Sequence, residues 1–294
     1  MDRDRTRRQF LRDTALMAAA AAARAADGRE AATKPAGKLP MIKLGKLKVS
    51  RLILGSNPFF GFAHGNPQAS GSEMRKYYTE ERIMAVMDEA AERGINAVWT
   101  PSYDHWIRLW TKYQRKGGKL KIWIGQPDNF DKMKEHITAC AKNGGKAICV
   151  QGESVDRAFS QGKHDLVREW LELIKSFGLP AGIGSHRPET HLVAEKKKLP
   201  TDFYHQCVYQ PENYSDKCRD LALATIRKLA KPVVAYKVLA AGRRRPKTAF
   251  AHLFKQLKRK DGLCVGVFPK DDRDQIEEDA ALTARLSRKT KRPA

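Results

Sequence analysis

Imidazole, carboxylate and amine side chains recur in this 294-residue chain just after short runs of apolar and β-branched residues. Asn57 and His64 follow the first run, Tyr103, Asp104 and His105 the second, and Gln126 and Asp128 the third. Gln151 and Glu153 follow the fourth, Ser185 and His186 the fifth, Tyr209 and Glu212 the sixth, Lys237 the seventh and Lys270 the eighth. Two kinds of chemistry suit this set. His64, Asp104, His105, Glu153, His186 and Lys237 combine acids, bases and an amine that burial could tune for proton transfer on a polyol or sugar-like molecule. His64, His105, Glu153 and His186 alternatively offer nitrogen and oxygen ligands to a divalent ion such as zinc or manganese, although the chain has no H-x-x-x-H or C-x-x-C spacing. The run Arg243-Arg244-Arg245 followed by Lys247 would hold a phosphate, sulfate or carboxylate.

Such residues can meet only if the elements before them lie side by side. Strand-like runs near 51–55, 97–100, 121–125, 147–151, 181–185, 203–208, 233–237 and 264–268 alternate with helical spacing over 80–93, 106–115, 130–143, 164–177, 188–198, 215–229, 247–260 and 272–286. Gly94, Gly144, Gly178 and Gly262 stand where helices should stop. Eight strands alternating with helices predict an α/β fold, a (β/α)8 TIM barrel, whose functional groups gather at the carboxyl ends of the strands. MIKLGKLKVS, residues 41–50, alternates about Gly45 and predicts a short N-terminal hairpin. Trp106 and Trp110, at helical spacing, read as packing residues before they read as a sugar platform.

The entry from Leu44 to Gly55 and the segment GINAVWTPSYDH, residues 94–105, resemble the aldo-keto reductase superfamily, whose barrels open with L-G-x-x-x-x-V-S-x-L-x-L-G and end their second strand with G-I-N-x-x-D-T-A. The resemblance implies an NADP(H) site that involves Ser185, Gln206, Tyr236, Lys270 and Arg273. It also implies a proton-donating tetrad, and there the chain departs from the pattern. Trp99 stands at the aspartate, Gln126 at the lysine and Gly152-Glu153 at the histidine, so ordinary carbonyl reduction lacks its apparatus. The expectation is an enzyme of acid-base or metal-assisted chemistry on a small polar, sugar-like or anionic substrate. The alternatives are a divergent NADP(H)-dependent oxidoreductase and a non-catalytic binder of anionic polymers.

Thr6-Arg7-Arg8-Gln9-Phe10-Leu11, the alanine-rich run to Ala23 and the exit at Ala23-Arg24-Ala25 resemble a twin-arginine export signal, which predicts a periplasmic or otherwise extracytoplasmic protein. The expected organisation is a signal over 1–26, a linker over 27–40 and the barrel over 41–294. No segment has the length and apolarity of a membrane span. A formal net charge of +23 favours anionic partners. No helix-turn-helix, zinc-finger or aromatic RNA-binding motif accompanies that charge, which argues against a specific nucleic-acid partner. The five cysteines are odd in number and mostly sit in apolar runs, unlike a disulfide framework.

Overall fold

The computed structural model describes residues 39–270 and 274–288. The expected export signal, most of the expected linker and Arg273 lie outside these residues. Leu39, at the end of the linker, is 4% exposed and belongs to the core.

Strands β1 (Met41–Leu44) and β2 (Leu47–Ser50) pair antiparallel, with Met41 opposite Ser50 and Leu44 opposite Leu47. The turn between them uses Gly45 at φ +57°, a conformation that glycine adopts without steric cost. The next eight strands are β3 (Leu52–Gly55), β4 (Ala97–Pro101), β5 (Ile122–Gln126), β6 (Ala147–Val150), β7 (Ala181–Ser185), β8 (Phe203–Cys207), β9 (Val233–Tyr236) and β10 (Gly262–Gly266). All pair in parallel with their neighbours, and β10 joins β3 to close the barrel, with Leu263 opposite Leu52 and Gly266 opposite Gly55. The (β/α)8 barrel with its hairpin is therefore the fold. Gly262 starts β10; it does not end a helix, because the preceding helix already stops at Phe254.

Ten α-helices are described: α1 (Gly71–Tyr77), α2 (Glu80–Glu92), α3 (Asp104–Arg115), α4 (Met133–Lys142), α5 (Gly152–Ser160), α6 (His164–Ser176), α7 (Pro188–Lys196), α8 (Asp216–Lys228), α9 (Pro246–Phe254) and α10 (Gln275–Ser287). Their buried stripes follow the 3.6-residue period, as in α6 with Val167, Trp170, Leu171 and Ile174. Trp106 and Trp110 on α3 are both buried packing residues.

Period-two alternation divides each strand between two cores. Ile53, Ala97, Trp99, Ile124, Ala147, Cys149, Phe203 and Val234 fill the lumen, which Ile42, Leu44 and Val49 of the hairpin plug from below. Their strand neighbours, such as Val98, Trp123, Ile148 and Tyr204, pack against the helices. Arg51, 2% exposed, latches the closure from within by donating to the carbonyls of Asp261 and Lys258 at 2.8 and 2.7 Å. Among the described residues no helix is long and apolar enough to cross a membrane.

Candidate functional site

Above the lumen, at the carboxyl ends of the strands, opens a cleft of about 1130 Å3. His64, His186, His205 and Lys237 all line it. They also stand close enough to feel one another's charge. Partial enclosure, then the charges of Lys237 and His186, hold His64 down to about 4. Full burial, then His186, His191 and Lys237, hold His205 well below the ordinary imidazole value.

His186 follows β7 and is fixed by Asp156 of α5. The Asp156 carboxylate accepts the His186 backbone N–H at 2.9 Å and the Thr190 hydroxyl at 3.1 Å, and the Ser185 hydroxyl also donates to it. His186 Nδ1 lies 3.4 Å from Asp156 Oδ2. Burial works against the Asp156 charge, but the hydrogen bonds from the His186 ring, Ser185 and the His186 amide together hold this carboxyl below its ordinary value. A charged Asp156 facing Nδ1 selects the tautomer with the proton on that nitrogen, which leaves Nε2 as a free base on the ring that lines the cleft.

Lys237 follows β9 in the left-handed region, at φ +53°. Ala240 and Ala241 of the same loop, at +50° and +51°, repeat that conformation. Non-glycine residues pay steric strain there, and such strain persists only where the surrounding fold enforces it. The Lys237 side chain is half-buried, and among the described residues it has no ion pair or side-chain hydrogen bond. Burial lowers its pKa, only partly offset by Cys207 and Glu212.

The floor is aromatic. The His205 ring stacks on Trp99 with centroids 4.0 Å apart and lies 4.1 Å from Tyr236 on its other side. Both nitrogens of His205 and Nε1 of Trp99 are buried without a hydrogen-bond partner among the described residues, a state that costs about 1–3 kcal/mol per group. On the opposite wall Tyr103 donates to Asp128 Oδ2 at 2.6 Å, and both residues line the cleft.

The outer end of the cleft is basic. Arg243 is committed to the fold: it donates to Gly65 O at 2.7 Å and lies 4.2 Å over the Tyr214 ring. Arg244 pairs with Asp216 at 2.9 Å. Arg245 and Lys247, which flank Pro246 at the start of α9, line the cleft and have no ion-pair partner among the described residues.

Several residues expected at the site lie elsewhere. Glu153 is exposed and does not line the cleft, because Gly152 and Glu153 begin α5 instead of a loop, and the helix turns Asp156 inward in its place. Asp104 and His105 form the first turn of α3 and point outward; His105 packs on Phe60 and Tyr103, at 5.3 and 5.5 Å between centroids. The expected metal set of His64, His105, Glu153 and His186 is thus split between the cleft and the outer surface. Among the described residues no three His, Cys, Asp or Glu side chains converge as metal ligands.

The expected nicotinamide contacts divide in the same way. Tyr236 lines the cleft, its hydroxyl donating to Ser185 O at 3.3 Å. Ser185 is consumed by Asp156, and Gln206 faces away from the lumen, where it contacts His191 at 3.4 Å and donates to Cys207 O at 3.0 Å. Lys270 is exposed 3.7 Å from Glu73. Trp99, Gln126 and Gly152, at the positions compared with the reductase tetrad, all line the cleft.

Asp156 and His205 escaped the sequence reading. Asp156 would have been found by extending α5 from Gly152, whereas FYHQC, residues 203–207, carries no apolar alternation to say which face His205 takes.

No protein-family model and no curated protein matches the chain. Solved structures match its fold. One is an N-acetylneuraminic acid (sialic acid) synthetase from Leptospira borgpetersenii serovar Hardjo-bovis, 13% identical over 87% of this chain and 92% of that one, with a TM-score of 0.52. Another is named as a candidate 2,5-diketo-D-gluconic acid reductase B, 11% identical over 84% and 86% of the two chains, with a TM-score of 0.56. At these identities the likeness is one of fold: an eight-stranded parallel barrel shared with enzymes.

Proposed function

We propose that this protein is an enzyme that moves protons on a small, polar, anionic and sugar-like substrate, with His186 as the acid-base group. The observation that carries the reading is the Asp156–His186 pair, which opens onto the same cleft as His64 and Lys237. Asp156 fixes the tautomer, Nε2 takes or returns the proton, and Tyr103 with Asp128 forms a second polar wall. Arg245 and Lys247 supply positive charge for the anionic end of the substrate. The arginine pair and alanine-rich run at the N-terminus support action outside the cytoplasm, where a free nicotinamide pool is not expected. The commitments of Ser185 to Asp156 and of Gln206 to His191, outside the lumen, likewise favour a non-redox reaction.

The test is solvent exchange in D2O, followed by NMR, with 2-oxo acids, aldose and ketose phosphates and uronic acids. Deuterium should enter one carbon next to a carbonyl, and His186→Asn should slow this on the order of 10^2-fold or more with the thermal midpoint retained. Absence of exchange or turnover with every compound, or a His186→Asn variant as fast as the parent, overturns the reading. NADPH binding at micromolar concentration would favour the oxidoreductase alternative.

A further inference from the structure

The acid-base pair accounts for His186 but not for Lys237. An ammonium group needs a carboxylate, several hydrogen-bond acceptors or open water, and a half-buried one without them is under pressure to lose its proton. Lys237 has neither ion pair nor side-chain hydrogen bond among the described residues, Cys207 and Glu212 offset its burial only in part, its charge reaches His64, and its side chain lines the cleft. Its backbone is held in the left-handed region at the head of a loop with two further residues at positive φ. The fold thus places an amine without an ion pair at a strained position, in the same cleft as a fixed imidazole and a basic outer end. An amine of this kind is a nucleophile toward carbonyl carbon.

Resting on the acid-base reading above, we propose that Lys237 forms an imine with the carbonyl group of an anionic aldehyde, ketone or 2-oxo acid. The Nζ lone pair adds to the carbonyl carbon, a C–N bond forms, and the carbonyl π pair moves to oxygen. His186 in its protonated form gives that oxygen one proton, the proton that nitrogen loses passes by way of the now neutral His186 to the same oxygen, and the C–O bond breaks as water leaves to give the protonated imine. Neutral His186 then takes a proton from the adjacent carbon, and the C–H electron pair moves toward the iminium nitrogen to give an enamine. Reprotonation and addition of water release the product and the free amine. The cycle is redox-neutral and uses no further reactant.

The experiment is reductive trapping of the full chain with sodium cyanoborohydride and either pyruvate or D-glyceraldehyde 3-phosphate, read by intact mass and peptide mapping. One adduct should form at Lys237, about tenfold or more faster than at surface lysines, and inorganic phosphate should slow it. Lys237→Arg keeps a cation and Lys237→Met keeps the length; both should abolish the adduct with the thermal midpoint retained. Adducts spread over surface lysines, no adduct, or labelling unchanged in Lys237→Arg overturns the proposal. The two readings fail separately. Lys237 labelling without any His186-dependent solvent exchange keeps the imine and removes the acid-base enzyme, whereas exchange that survives Lys237→Arg removes the imine alone.

Discussion

His186 can act through Nε2 only while its other nitrogen is occupied, and Asp156 occupies it at 3.4 Å while also accepting the His186 amide, Ser185 and Thr190. Asparagine at this position keeps one acceptor oxygen for those donors and brings an amide that competes with them. Asp156→Asn should therefore lower kcat on the order of 10^2-fold or more, with KM little changed, and should cost about 1–3 kcal/mol of stability. Steady-state kinetics together with a denaturation curve separate the two effects. Glu153→Gln and His105→Ala, on the outer surface, should leave both quantities as they are. If Glu153→Gln slows turnover as much as Asp156→Asn, the assignment of the orienting acid is wrong.

At the scale of elements, the barrel was legible because strand-like runs and helical stripes alternate with short breaks between them. The eighth strand was placed two residues late, since 262–266 and 264–268 are similarly apolar and both contain glycine. α5 was missed altogether, and that omission promoted Glu153 and hid Asp156: a nine-residue helix starting at Gly152 sits where the pattern suggested a plain strand-to-helix loop. His186 and Lys237 could be read because each directly follows its strand. His205 could not, because which face a strand presents is decided by packing against neighbours that the local sequence does not contain. The loop after β9 was recognised as basic, but its strain was invisible, since alanine gives no sign of a left-handed backbone. Relieving it at Ala241 should help stability: Ala241→Gly is expected to raise ΔG of unfolding by up to about 1 kcal/mol. Ala249→Gly, in α9 where glycine opposes the helix, should lower it by about 1 kcal/mol. Denaturant midpoints at constant slope check both, and a destabilised Ala241→Gly would show that the alanine methyl contributes packing that outweighs the strain.

For the whole molecule, the two fully enclosed imidazoles govern the response to acid. His191, between β7 and β8, is held down to about 3 by burial, and His205 is also far below its ordinary value. Their folded forms refuse protons that the unfolded chain accepts near 6.5. For His191 this contribution is fully present above that pH and is lost as pH falls from 6.5 toward about 3, at about 1.4 kcal/mol per pH unit, and His205 adds a loss of the same sign. Denaturant unfolding from pH 7 to 4 should show this loss, to which His64 adds with the same sign, and His205→Phe should make the slope shallower than in the parent protein. A flat profile would mean that these rings pick up protons in the folded state.

The lip of the cleft is sewn down at two points. The Tyr214 hydroxyl donates to His64 O at 2.9 Å and Arg243 to Gly65 O at 2.7 Å, so segments following the first, sixth and seventh barrel strands are stitched together across the entrance. Both bonds restrain the segments that line this side of the cleft. Under the proposed reading, the net positive charge would draw in anions of any length, while the tied lip would favour short ones over polymers.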